Sequence, residues 1–159
     1  MKTKVLSLLV DNTSGVLSRV SGMFSRRGYN IDSLSVGVTE NPKYSRMTVA
    51  VSGDDRILSQ IKKQLNKLED VVDIIELEDG SSVCRELVLV KVKADIAERQ
   101  QIISVANVFR ASIVDVSPES LMIELTGNSN KIEAFINLLN GFTIQEFVRT
   151  GITGLVRGN

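Results

Sequence analysis

The sequence predicts an α+β chain of two tandem ferredoxin-like (βαββαβ) modules. Three observations lead there. Apolar residues with strand and helix spacing follow one another in the order β-α-β-β-α-β. A polar, glycine-containing stretch, E-D-G-S-S at 78–82, comes next. The same order then starts again, without a residue-level repeat, the first strand and helix recurring about 82 residues on and the later elements about 72 to 75 on.

The first strand is Lys4 to Val10, a β-prone run with few polar breaks. A helix starts near Gly15, because Val16, Leu17, Val20, Met23 and Phe24 lay one apolar stripe along it, and Gly28 is placed to end it. Ile31 to Val38 is the second strand, and Pro42 marks the turn after it. Arg46 to Val51 alternates Met47, Val49 and Val51 against Thr48 and Ala50. G-D-D at 53–55 caps a second helix whose Ile57, Leu58, Ile61, Leu65 and Leu68 share a face, and Val71 to Leu77 closes the module. The second module reads as strand Leu87–Val92, helix Ala97–Phe109, strands Ser112–Val116 and Leu121–Leu125, helix Asn130–Leu139 and a last strand from Thr143 to about Val148. The expected boundaries are 1–78, a linker at 79–84, and 85–159. In the usual ferredoxin-like order the second strand lies at a sheet edge. Its only charge is Asp32, and it has no lysine or proline, so it invites pairing with another chain unless a loop or the second module covers it.

Composition narrows the function. Lys plus Arg and Asp plus Glu both number 19, with no basic block, which counts against a dedicated nucleic-acid binder. The βαββαβ order also suits an RNA-recognition module, but the third strand, R-M-T-V-A-V, lacks the stacking aromatics. The N-terminal apolar run stops at Asp11 without a cleavage pattern, and no stretch approaches a membrane span, so a cytoplasmic, soluble protein is expected. A single cysteine, Cys84, and no histidine exclude an internal disulfide, Cys/His zinc sites and a Ser-His-Asp or Cys-His nucleophile. P-loop and G-x-G-x-x-G motifs are missing as well. No catalytic or metal set remains, and the chain leans toward binding.

One corner stands out. D-N-T-S-G-V-L, residues 11–17, puts four small polar residues and a glycine between a strand and a helix. A helix N-terminus leaves backbone N–H groups free and carries partial positive charge, so such a corner can hold a carboxylate. It can equally be a plain N-cap by Asn12 or Ser14 with a turn glycine. Asn30, in G-Y-N-I at 28–31, has the same two readings: a left-handed helix cap or a group facing a ligand.

The stretch L-S-L-L-V-D-N-T-S-G-V-L-S-R-V-S-G-M-F-S-R-R-G-Y-N-I-D-S-L-S-V resembles the ACT domain of the small, regulatory subunits of acetolactate synthase (acetohydroxyacid synthase). S-R-M-T-V, K-Q-L-N-K-L, R-E-L-V-L-V-K-V, F-R-A-S-I-V-D-V-S-P and T-G-I-T-G-L-V-R-G carry the resemblance along the chain. It implies that the first module is an ACT domain and the chain a non-catalytic regulatory subunit. Its partner would be a large catalytic subunit that holds thiamine diphosphate and Mg, with no cofactor in this chain. The small subunit would raise the partner's activity and confer feedback inhibition by valine in branched-chain amino acid synthesis. The effector would bind at an ACT–ACT homodimer interface through Asn12, Gly15, Val16, Leu17, Asn30 and Ile31. There the backbone N–H groups of Gly15, Val16 and Leu17 would hold the carboxylate. The amides of Asn12 and Asn30 would orient the polar end, and Val16, Ile31, Leu34 and Val36 are candidates for the side-chain pocket. Neither nucleic acid nor membrane is an expected partner. A stand-alone amino-acid sensor or structural dimer module without a synthase partner is the alternative.

Overall fold

The computed structural model describes residues 2–158. Its elements are β1 (Lys2–Asp11), α1 (Val16–Arg26), β2 (Asn30–Val38), β3 (Tyr44–Gly53), α2 (Asp55–Asn66), β4 (Val71–Leu77), β5 (Ser82–Lys93), α3 (Ile96–Val108), β6 (Ser112–Ser117), β7 (Ser120–Gly127), α4 (Ser129–Leu139), β8 (Ile144–Arg149) and β9 (Thr153–Val156). The two expected α+β modules are present. They form separate compact units, one of Met1–Cys84 with Ile152–Asn159 and one of Arg85–Gly151.

In the first unit the strands run antiparallel in the order β2-β3-β1-β4, which leaves β2 at an edge. Alternation along β1 and β3 turns Leu6, Leu8, Val10, Met47, Val49 and Val51 to one face. Against it pack Val16, Val20, Met23 and Phe24 of α1 and Leu58, Ile61 and Leu65 of α2. Burying each such side chain is worth about 1.5–3 kcal/mol, so this two-layer core accounts for the order of the elements. Leu17, in the stripe by spacing, remains 45% exposed at the start of α1. The helix ends as expected at Gly28, whose φ of 68° lets Tyr29 N–H reach back to the Phe24 carbonyl at 3.0 Å.

The opposite face of this sheet carries a feature the sequence did not suggest. Ile152 lies against β2: its N–H donates to Ser33 Oγ at 3.4 Å, and Ser35 Oγ donates to its carbonyl at 3.1 Å. Beyond it β9 pairs with β5, and Arg157 N–H donates to the Ser81 carbonyl at 2.8 Å. Gly154 sits so close that a Cβ there would stand 2.8 Å from the Val83 carbonyl oxygen and 2.7 Å from Cys84 Sγ. The C-terminal segment is therefore a strap on the first unit: of the stretch 85–159 expected as the second module, Arg85–Gly151 form the second compact unit and the segment from Ile152 on packs with the first. The expected linker at 79–84 is shorter too, since β5 begins at Ser82 and the turn occupies the residues just before it.

The second unit repeats the plan, with strand order β6-β7-β5-β8. Val88, Val90 and Val92 of β5 and Leu121, Ile123 and Leu125 of β7 face Ile102, Ala106, Ile132, Phe135 and Leu139 of α3 and α4. Arg149 on β8 grips the buried Glu86 through two hydrogen bonds, 2.7 and 3.2 Å, and reaches Glu133 of α4 at 2.8 Å. The Glu86 carboxylate, foremost, holds the Arg149 guanidinium pKa above its ordinary value.

Candidate functional site

β1 delivers Asn12 to the corner, where the side chain braces rather than caps. Asn12 Nδ2 donates to the Pro42 carbonyl at 2.9 Å, Ser45 Oγ donates to Asn12 Oδ1 at 3.1 Å, and Asn12 N–H donates to the Lys43 carbonyl at 2.8 Å. These bonds tie the β1–α1 corner to the β2–β3 turn. Gly15 occupies the N-cap position with φ 87°, and no side chain caps α1. Asp54, Asp95 and Asn128 cap the other three helices. The N-cap reading of Asn12 and Ser14 is thus corrected: the corner is held by Asn12 from the side and leaves the first amides of α1 without a side-chain partner. An L residue at 15 would adopt that φ under strain, and its Cβ would meet Arg19 Nη1 at 2.8 Å.

Arg19, one turn along α1, stands over Gly15 and pairs with Asp70 through Nε at 2.5 Å and Nη2 at 3.1 Å. Its hydrogen bond lowers the Asp70 carboxyl pKa from the ordinary value. The Asp70 carbonyl in turn accepts from Asp11 N–H at 2.9 Å, fixing the end of β1. Spacing alone gave no signal for Arg19, since i and i+4 residues meet only once a helix is placed.

Asn30 and Ile31 open β2 at the other end of the sheet. Asn30 aligns with Ser52, whereas Val38 aligns with Ser45, the residue that bonds Asn12. Eight residues of strand separate the two ends, about 26 Å at roughly 3.3 Å per residue. Within one chain, therefore, Asn12, Gly15, Val16 and Leu17 gather at one end and Asn30 and Ile31 at the other. Asn30 has no left-handed φ, so its helix-cap reading is corrected as well; it is the exposed first residue of the strand. Its Nδ2 donates to Asp32 Oδ1 at 2.8 Å, and Ser52 Oγ donates to the second oxygen of Asp32. A register shift between Ile31 and Ser33 leaves Asp32 as the extra residue of a bulge.

Of the four candidate pocket residues, Val16 is 4% exposed inside the core, and Ile31 and Leu34 pack against that core. Ile31 and Leu34 are only partly buried against that core, and Val36, 51% exposed on the edge strand, is the most open of the four. A groove of about 500 Å³ in the second unit lies among Leu89, Lys91, Met122, Glu146, Phe147 and Val148. Another of about 210 Å³ lies beside Lys4, Leu58, Lys62 and Glu76. Neither borders the corner. Among the described residues no group of three or more His, Cys, Asp or Glu could hold a metal ion. None of the described helices is long and apolar enough to cross a membrane.

Residues 6–73 match the family model described as the AHAS small subunit-like ACT domain. Residues 85–158 match that of the small subunit of acetolactate synthase. The acetolactate synthase small subunit of Mycobacterium bovis is 53% identical over 157 residues, covering 99% of this chain and 94% of the relative. A probable acetolactate synthase small subunit of Methanothermobacter thermautotrophicus is 51% identical over 158 residues, with the same coverage of each. The crystal structure of the acetolactate synthase small subunit from Thermotoga maritima superposes with a TM-score of 0.92 at 42% identity, covering 100% of this chain and 99% of that one.

Proposed function

The chain belongs to the family of acetolactate synthase small subunits, whose partner is the large catalytic subunit, and from that premise we propose that it is the amino-acid-gated regulator of that enzyme. It activates the large, thiamine-diphosphate- and Mg-dependent subunit in branched-chain amino acid synthesis. Valine bound between two ACT domains inhibits the assembly. The chain itself is non-catalytic, holds no cofactor and works in the cytoplasm. Effector bound at the interface favours one arrangement of the ACT pair, which requires different affinity for two states rather than tight binding alone.

The observation that carries this reading is the separation of the two half-sites along an exposed edge strand. Val36 and Val38 of β2 are 51% and 63% exposed, and among the described residues β2 has no sheet neighbour beyond β3. Antiparallel pairing of two β2 strands about a two-fold axis sets the Asn30 end of one copy beside the Asn12 corner of the other. Uncapped amides of α1 then receive a carboxylate that no single chain encloses.

Calorimetric titration with valine, paired with sedimentation of the full chain, tests the site. Gly15→Asp puts a carboxylate and a Cβ at the corner and is expected to abolish binding while circular dichroism still reports a folded protein. Equal binding by the variant and the wild type would remove the corner from the reading.

A further inference from the structure

α1 and α3 end in the same hydrogen-bonded turn, with different residues at its left-handed position. After α1, Gly28 N–H (φ 68°) donates to the Ser25 carbonyl at 3.2 Å and Tyr29 N–H to that of Phe24 at 3.0 Å. After α3, Arg110 N–H (φ 57°) donates to the Asn107 carbonyl at 3.1 Å and Ala111 N–H to that of Ala106 at 2.8 Å. Both are Schellman turns, where glycine is the usual residue because a Cβ is strained at positive φ. Arg110 is the only non-glycine residue with positive φ among those described. The second module thus keeps, against the conformational preference of the turn, a long cationic side chain where the first has none.

Inside the chain that side chain has little to do. No basic residue stands in the last turn of α3, so a cation at 110 suits the negative end of the helix dipole, but a lysine would serve there as well. Arg99 donates to the Ser117 and Pro118 carbonyls at 2.8 and 2.9 Å, and Arg149 to Glu86 and Glu133. Arg110, by contrast, makes no hydrogen bond or ion pair with any described residue. It is exposed, and so is the chain on either side: Val108, at the end of α3, is 76% exposed, and Val114, on the edge strand β6, is 46% exposed. A free guanidinium among exposed apolar residues has the composition of an interface anchor, and its planar fork matches a carboxylate. Resting on the regulatory reading above, we propose that Arg110 is a docking anchor for the large catalytic subunit. Its guanidinium engages a carboxylate of that subunit through two parallel N–H···O bonds, and Val108 keeps water from the pair. A second copy of the chain is not the occupant, because β2, in the first unit, already accounts for the pairing of copies.

Arg110→Gly separates folding from docking, because it restores the residue the turn prefers while removing the guanidinium. Urea unfolding of the full-length variant is expected to give a midpoint no lower than the wild type's. Titrated into the purified large subunit with pyruvate and thiamine diphosphate, the variant is expected to need at least about tenfold more chain for half-maximal activation. Arg110→Lys keeps the charge but loses the fork, and is expected to fall between the two. Lys67→Gln, which removes an exposed charge from the first unit, is expected to activate like the wild type. Wild-type activation by Arg110→Gly, or an equal loss in Lys67→Gln, would overturn the anchor. A lowered urea midpoint in Arg110→Gly would make Arg110 a structural cap and overturn it as well. If the wild-type chain itself fails to activate the large subunit, the regulatory reading falls and the anchor with it; if wild type and Arg110→Gly activate equally, the anchor alone fails.

Discussion

Gly154 decides whether the C-terminal strap stays on the first unit. A Cβ built there stands 2.8 Å from the backbone oxygen of Val83, 2.7 Å from Cys84 Sγ and 3.0 Å from Leu77 Cδ1. The backbone oxygen cannot rotate away, so Gly154→Ala must push β9 off β5 or shift both. Overpacking of this kind costs about 1–3 kcal/mol. In a unit of this size each kcal/mol moves Tm by about 4–8 °C. The loss is local, because the strap's other anchors, Ser33 and Ser35 on Ile152 and Ser81 on Arg157, are single hydrogen bonds worth about 1 kcal/mol each. Hydrogen exchange resolved by peptide, with thermal melts alongside, is the suitable assay. Gly154→Ala is expected to lose protection across 152–158 and in Ser82–Cys84, whereas Gly158→Ala, with nothing within 4 Å, leaves both unchanged. Wild-type protection and Tm in Gly154→Ala would refute the account of the strap as a close-packed, glycine-dependent contact.

Two further outcomes follow from charged groups. Hydrogen bonds from Lys4 first and Lys62 next lower the Glu76 carboxyl pKa, so its stabilisation is present above the unfolded value of about 4.3 and disappears as pH falls through the lower folded value. Glu76→Gln is therefore expected to be less stable than wild type at pH 7 and indistinguishable from it in strong acid, measured by urea unfolding across that range. Arg149→Met strands the 5%-exposed Glu86 carboxylate without its cation and is expected to cost about 3–5 kcal/mol, while adding Glu86→Gln recovers part of that; urea midpoints of the three proteins provide the check.

Much of the fold was legible because apolar spacing is a local property. The stripe of Val16, Val20, Met23 and Phe24 and the alternation of Met47, Val49 and Val51 report which face is buried, whatever covers it. Gly28 and Asp54 could be read the same way, since a left-handed glycine and a capping carboxylate act within a few residues of chain. β9 escaped because T-G-L-V is too short to show a period and its pairing comes from contact with β5, some seventy residues back.

The corner divides along the same line. From D-N-T-S-G-V-L alone, a glycine turn at a helix start was evident, but not where Asn12 would point. Pro42 and Ser45, thirty and more residues away, decided that, and they freed the α1 amides from a cap. The two α+β modules, their cores and the family to which they belong could be read directly, because hydrophobic period and motif are written residue by residue. The strap over the first sheet, Arg19 above Gly15, the hydrogen bond from Asn30 to Asp32 and the separation of the two half-sites by about 26 Å along β2 came from the folded chain alone. Each of these depends on strand register and on contacts between distant residues, which no local pattern encodes.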